Sequence, residues 1–302
     1  MKILVTGGTG FFGKSIIDAV RRGRLENHEF VMMSRHPDKF IAACPQLAAV
    51  KGVRFIAGDV RDFAFPDEPF DAVIHAATPA LTTISDAEMR DIINAGAARV
   101  CQYMKSCLPH GRLLFCSSGA VYGVQPPEIE RLPEDFPCQP VTAYGQGKLD
   151  SERLFLEHGI DVATARCFAF VGRYLARDIH FAIGNFMRDC LAGTPITIRG
   201  DGTPYRSYLY ADDLIDWLFA VLEHGRSGRV YNVGSDDGMP IRRLAERVRD
   251  ALASQSVIEV LGTPRPGTPP SRYVPDTTRI RTELGVSLKI PFETAVRLSC
   301  AD

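Results

Sequence analysis

The chain begins with a short apolar run, Met1-Lys2-Ile3-Leu4-Val5, that breaks into Gly7-Gly8-Thr9-Gly10-Phe11-Phe12-Gly13 and resumes as Ser15-Ile16-Ile17-Asp18-Ala19-Val20. A strand feeding a glycine turn that opens a helix is the first unit of a parallel α/β sheet, and it is built to receive a dinucleotide. Gly7 permits the tight turn, Gly10 lets the backbone approach a pyrophosphate, and Gly13 allows close helix–strand packing. The helix N-terminus then faces the anion.

Further apolar runs suit buried parallel strands. They are Glu29 to Met33, Val53 to Ala57, Ala72 to His75, Arg112 to Cys116 and Asp161 to Ala165. Ala87 to Leu108 and Ala143 to His158 have helical length and period. This alternation predicts an α/β doubly wound parallel sheet, a Rossmann arrangement. The pattern loosens after Arg166, through Gly172 to Gly202 and the proline-rich stretch from Gly262 to Pro275. Residues 209–234 read as a helix and strand returning to the sheet. The expected division is a dinucleotide-binding domain of 1–170 plus 209–234, and a smaller, discontinuous lobe of 171–208 plus 235–302.

Ser118, Tyr144 and Lys148 carry the chemistry. A tyrosine and a lysine four apart share one helix face, so the ammonium can favour the phenolate of a phenol whose ordinary pKa is about 10. Ser118 can hydrogen-bond the same substrate oxygen that the tyrosine protonates or deprotonates. Together with a nucleotide loop this is the apparatus of a nicotinamide-dependent redox enzyme.

These motifs resemble the extended short-chain dehydrogenase/reductases, specifically their nucleotide-sugar epimerase, dehydratase and ketoreductase group. The resemblance runs from Met1 to at least Asp276. It covers the Gly7/Gly10/Gly13 spacing, Gly58-Asp59-Val60, Ile74-His75-Ala76-Ala77-Thr78, Asn94, the run Cys116 to Gly123, the Tyr144/Lys148 pair, and Arg206 to Leu214. It implies that Thr9, Phe11, Phe12, Asp59, Val60, Ala76, Ala77 and Thr78 line the cofactor together with the glycines, Tyr144 and Lys148, with Asp59-Val60 against the adenine. It also implies a pyrophosphate clamp for a nucleotide-sugar substrate made by Asn185, Arg206 and Arg265, with Ser118 at the sugar, and links Asn94 to the catalytic region. The lobe of 171–208 plus 235–302 becomes the substrate-binding part.

The end of the second strand bears on cofactor choice. An acidic residue there pairs with the adenosine ribose of NAD, whereas an arginine accommodates the 2′-phosphate of NADP. Ser34 followed by Arg35 favours NADP(H), with NAD(H) possible. The expected function is therefore an NADP(H)-dependent reduction of a 4-keto, 6-deoxy nucleotide sugar with Tyr144 as general acid. A 4-epimerase using NAD(P) is the alternative, and an NADP-sensing regulator is the non-enzyme alternative. Family dehydratases often place acidic residues just after the serine; Gly119 and Ala120 stand there instead, and neither transfers a proton.

With 35 Lys and Arg against 36 Asp and Glu, the net charge of -1 supplies no general attraction to nucleic acid or a membrane surface. Eight cysteines without a CxxC pair read as reduced thiols, with no metal site, and the early first strand and the lack of a long apolar run point to the cytoplasm. His75 at a strand end reads as packed and structural. By family analogy a homodimer is expected through the helices of 87–108 and 144–158, with Val100, Leu149 and Leu156 as seam candidates.

Overall fold

A computed structural model describes residues 1–79, 84–179 and 181–301. Seven parallel strands form the central sheet: β1 (Lys2–Thr6), β2 (Glu29–Ser34), β3 (Val53–Ala57), β4 (Ala72–His75), β5 (Arg112–Ser118), β6 (Val162–Cys167) and β7 (Val230–Val233). Their order is β7-β6-β5-β4-β1-β2-β3. The chain winds outward in one direction from β1 and then in the other from β4, so the switch point lies between β1 and β4, where open α/β sheets bind ligands beyond the strand ends.

β1, β2 and β4 are apolar because both faces are covered: Ile3, Leu4, Val5, Met32, Val73 and Ile74 are buried. β3, expected from its apolar run to be a buried strand, lies at the sheet edge and is only partly buried, with Arg54 and Ala57 exposed. The principal helices are α1 (Phe11–Arg21), α2 (Asp86–Cys107), α3 (Ala143–Glu157), α4 (Ala182–Ala192), α5 (Ala211–His224) and α6 (Ile241–Ala251). Ser85 caps α2 by accepting from the Glu88 amide at 3.2 Å, and Thr142 caps α3 by accepting from the Gly145 amide at 3.0 Å. Each cap satisfies an amide that the first turn leaves without an intrahelical partner. On α5 the stripe Leu214, Trp217, Leu218 and Val221 is buried, as helical spacing requires.

The chain divides into two compact units. The first comprises Met1–Gly123, Cys138–Cys167 and Ile215–Tyr231; the second comprises Val124–Pro137, Phe168–Leu214 and Asn232–Asp302. Val124–Pro137, read from sequence with the dinucleotide-binding part, groups with the second unit. The reason is long-range bonding: the Val274 amide donates to Gln125 Oε1 at 2.9 Å, and the Asn232 side-chain amide donates to the Leu132 carbonyl at 2.8 Å.

Two of the expected dimer-seam residues belong to the interior of the first unit. Val100 is fully buried in the cluster that holds Leu4, Val73 and Leu113, and Leu149 is 6% exposed; Leu156 alone of the three is exposed. Among the described residues no helix is long and apolar enough to cross a membrane.

Candidate active site

Gly7 has φ of +76°, and a Cβ there would lie 2.8 Å from the Ala77 Cα and 2.9 Å from the Ala76 carbonyl oxygen. Only glycine tolerates both demands. A Cβ on Gly13 would lie 2.0 Å from the Gly8 carbonyl oxygen, and this close approach sets α1 against the loop. Gly10 is the N-cap of α1 in extended conformation, with no side-chain cap, and the first turn holds no acidic residue. Its leading amides therefore point from a positive helix end toward the loop Gly7 to Gly10, which fits a dinucleotide pyrophosphate. Thr9, Phe11 and Phe12 flank that end and are all partly buried, and the rings of Phe11 and Phe12 meet edge to face at 5.8 Å.

Across the switch point, the Ala77 amide donates to Thr6 Oγ1 at 3.2 Å, and Thr78 Oγ1 donates to the Ala77 carbonyl at 2.8 Å. Thr6 Oγ1 is also 2.7 Å from Nδ1 of His75. Burial, and secondarily the Lys148 charge, push His75 down to about 3, so the ring is neutral and packed on Phe115 with centroids 5.5 Å apart. The structural role expected for His75 is the one it has.

At the end of β2 the Ser34 carbonyl accepts from the Gly58 amide at 3.0 Å, whereas its hydroxyl is buried without a hydrogen-bond partner among the described residues. Arg35 beside it is exposed. Asp59 accepts from the Arg61 amide at 3.0 Å and from the Arg61 guanidinium at 3.0 and 2.9 Å, which holds its carboxyl below the usual range, with Arg35 a lesser contributor. Asp59 thus braces its own turn, the plainer of the two roles a turn aspartate can take. Val60 is buried against Gly96 of α2.

β5 and α3 bring Ser118, Tyr144 and Lys148 together. Ser118 is buried, its Oγ accepts from the Ala120 amide at 3.1 Å, and its hydroxyl lies near the Tyr144 phenol and acts to lower its pKa. Lys148 Nζ donates to the Cys116 carbonyl at 2.8 Å and stands 5.0 Å from the Phe115 ring centroid and 5.9 Å from that of Tyr144.

The electrostatics differ from the expectation of a lysine that favours the phenolate. Although Tyr144 as a whole is only partly buried, its phenol end is packed, and burial pushes it up to about 12 against the opposing effect of the Ser118 hydroxyl. Burial likewise drags Lys148 down to about 8, against Cys116, Cys167 and Glu152. Desolvation outweighs the ammonium because Lys148 spends its hydrogen bond on a carbonyl, away from the phenol. The site therefore holds a protonated phenol, suited to donating a proton.

Gly145 lets the first turn of α3 close on the one-turn 3-10 helix Gly119–Tyr122, since a Cβ there would lie 2.5 Å from the Ala120 carbonyl oxygen. Asn94 of α2 has a buried Oδ1 with no partner among the described residues, 3.3 Å from where a Cβ of Gly147 would stand. It sits against the turn that separates Tyr144 from Lys148.

The three residues of the expected pyrophosphate clamp lie in the second unit. Asn185 of α4 donates to the Ile179 carbonyl at 2.9 Å, Arg206 donates to the Tyr205 carbonyl at 2.7 Å, and Arg265 is exposed in a turn closed by the Thr268 amide on its carbonyl. Sequence reading passed over Ser117, Glu152 and Arg166, which form a buried network next to Tyr144 and Lys148. The available signal was Glu152 four residues after Lys148, continuing the face that Tyr144 and Lys148 share.

Comparison with known proteins agrees with this architecture. The model of the NAD dependent epimerase/dehydratase family matches residues 3–234. A dTDP-glucose 4,6-dehydratase of Streptomyces niveus is 28% identical, over 97% of this chain and 89% of the relative. A UDP-glucose 4-epimerase of Corynebacterium glutamicum is 27% identical, over 94% and 90%. A crystal structure of dTDP-glucose 4,6-dehydratase from Bacillus anthracis in complex with NAD superposes with a TM-score of 0.85 at 21% identity, covering 99% of this chain and 95% of that one. With its glycine loop at the switch point and its serine, tyrosine and lysine gathered beside β5, the chain belongs to the NAD-dependent epimerase/dehydratase family.

Proposed function

We propose that this protein is an NADP(H)-dependent reductase of a 4-keto, 6-deoxy nucleotide sugar. The observation that carries the reading is the Ser118, Tyr144 and Lys148 constellation with a phenol held protonated at neutral pH. A keto oxygen hydrogen-bonded by Ser118 receives the Tyr144 proton as negative charge develops on it. Lys148, anchored on the Cys116 carbonyl, keeps a positive charge beside that exchange at neutral pH. The nicotinamide, when bound, supplies the hydride. Gly7, Gly10, Gly13 and the uncapped end of α1 would hold its pyrophosphate, with Thr9, Phe11, Phe12, Val60, Ala76, Ala77 and Thr78 around it.

NADP(H) is favoured by the absence of a carboxylate at Ser34-Arg35, by the unpartnered Ser34 hydroxyl and by the exposed arginine next to it. Nucleotide-sugar substrates are supported by the named relatives, and Asn185, Arg206 and Arg265 are the proposed phosphate-side contacts. A water-eliminating dehydratase fits less well, because Gly119 and Ala120 offer no acid or base where family dehydratases carry them.

The 4-epimerase reading keeps a specific observation in its favour: relatives of that name match nearly the whole chain, and the B. anthracis structure of the same fold holds NAD. One experiment separates the two. The copurifying dinucleotide is identified by mass spectrometry, and absorbance at the NADPH band is then followed with keto and hydroxy sugar nucleotides. A reductase consumes NADPH stoichiometrically with the keto sugar. Tightly retained NAD with interconversion of hydroxy sugars and no net oxidation leaves the epimerase standing.

A further inference from the structure

Glu152 is 4% exposed and Arg166 is 6% exposed, so their ion pair is out of water and must be fully satisfied to persist. It is. Arg166 Nε donates to Glu152 Oε1 at 3.0 Å and Arg166 Nη2 donates to Oε2 at 2.7 Å, a bidentate fork. Ser117 Oγ adds a third hydrogen bond to Oε1 at 2.5 Å. On its other side the guanidinium covers the Tyr122 ring, 4.7 Å from the centroid.

These contacts join the elements that make the site. Ser117 and Arg166 are register partners on β5 and β6, Tyr122 ends the turn that begins after Ser118, and Glu152 lies on α3. At about 100° per residue, Tyr144, Lys148 and Glu152 stay on one side of the helix over two turns. Three successive residues of β5 meet them in turn: the Cys116 carbonyl takes Lys148, the Ser117 hydroxyl grips Glu152, and the Ser118 hydroxyl faces the Tyr144 phenol. The first and third contacts belong to the reacting pair. The middle one has no part in proton transfer, yet it fixes how α3 is rotated and how far it is seated along β5.

The geometry points to Glu152, gripped by Ser117 and Arg166, as a positioning residue that sets the placement of Tyr144 and Lys148. The inference rests on the functional reading above for its kinetic consequence, but its structural consequence is measurable without a substrate. Lys148 is faced by His75 of β4, Cys116 of β5, Cys167 of β6, and Tyr144 and Glu152 of its own helix. Glu152 is the carboxylate of that set. Replacing it by a neutral residue removes an anion beside Lys148 and leaves the Arg166 charge uncompensated, and both changes favour loss of the lysine proton.

The test uses the whole protein labelled with 13Cζ-tyrosine, the Tyr144 resonance being identified by its disappearance in Tyr144→Phe. In the wild type this resonance reports the Lys148 charge as an inflection near the pH of about 8 at which Lys148 titrates. In Glu152→Gln the inflection moves to lower pH by about half a unit or more. The double variant Glu152→Met with Arg166→Met keeps the core filled and removes both charges; its Tyr144 resonance leaves the wild-type position. An unmoved inflection in Glu152→Gln, or a folded double variant whose Tyr144 curve superposes on the wild type, overturns the inference. If the double variant does not fold, Glu152→Gln decides alone. With a sugar nucleotide that the wild type turns over, Glu152→Gln lowers kcat by about 10- to 100-fold while the dinucleotide Kd stays within about threefold, the pattern of misplacement without lost binding. Absence of turnover on every sugar nucleotide defeats the functional reading and leaves the tyrosine titration to judge the clamp.

Discussion

Lys148 Nζ lies 2.8 Å from the Cys116 carbonyl oxygen and 5.9 Å from the centroid of the Tyr144 ring, so the lysine is tied to β5 and reaches the phenol only through space. Replacing Tyr144 by Phe should then leave dinucleotide affinity nearly unchanged while lowering turnover by about 10²- to 10⁴-fold, the contribution of a positioned proton donor. Lys148→Met should damage both, because the family resemblance places this lysine in the cofactor lining as well as beside the phenol. Fluorescence titration with the dinucleotide and steady-state kinetics read the two effects separately; near-wild-type turnover in Tyr144→Phe would remove the mechanism.

His75 gives the fold a defined acid sensitivity. Its pKa is pushed down to about 3 by burial, with the Lys148 charge assisting, from an ordinary 6.5. The unfolded chain therefore takes up a proton between these values that the folded chain refuses. Stability from the neutral ring is complete above pH 6.5 and is lost progressively as pH falls through 3, by at most a few kcal/mol. Urea midpoints between pH 7 and pH 4 should fall, and a folded His75→Phe should show a shallower decline. An identical slope in the variant would assign the acid loss to carboxylates.

Gly13→Ala is expected to be far more damaging than an ordinary surface substitution. Its Cβ would stand 2.0 Å from the Gly8 carbonyl oxygen, which is backbone and cannot rotate away. Overpacking of this kind costs about 1 to 3 kcal/mol, and shifting the loop should also weaken dinucleotide binding. Urea unfolding and a binding isotherm check the two parts; a stable variant with intact affinity contradicts the packing.

The cofactor preference is testable at two side chains. If Arg35 contacts a 2′-phosphate, NADPH binds more tightly than NADH by about 1.5 to 3 kcal/mol, the range for a charge-assisted hydrogen bond. Ser34→Asp with Arg35→Asn should reverse the order, since a new carboxylate repels the phosphate and pairs with the ribose hydroxyls. Equal affinities in the wild type would remove the preference.

Dimerisation through α2 and α3 remains the proposed assembly, with Leu156, 49% exposed, in place of the buried Val100 and Leu149. Sedimentation at micromolar concentration should give a dimer, and Leu156→Asp should shift it toward monomer. A wild-type monomer refutes the assembly.

The first βα unit was legible because its determinants are local. An apolar strand, a turn whose backbone only glycine adopts, and an amphipathic helix follow one another within twenty residues, and the recurrence of such strands specifies a parallel doubly wound sheet. The Ser118, Tyr144 and Lys148 set could be read the same way, since helical spacing alone places two of the three on one face. Other features depended on partners far along the chain. Val100 and Leu149 looked fit for an interface until the folded unit buried them. Lys148 looked like the phenol's counter-charge until the Cys116 carbonyl claimed it and burial reset both groups. Glu152 looked like one more helix carboxylate until β5 and β6 brought Ser117 and Arg166 to it. Apolar period and glycine placement record what a segment prefers by itself, whereas hydrogen-bond partners and desolvation are properties of neighbours, and only the folded chain chooses those.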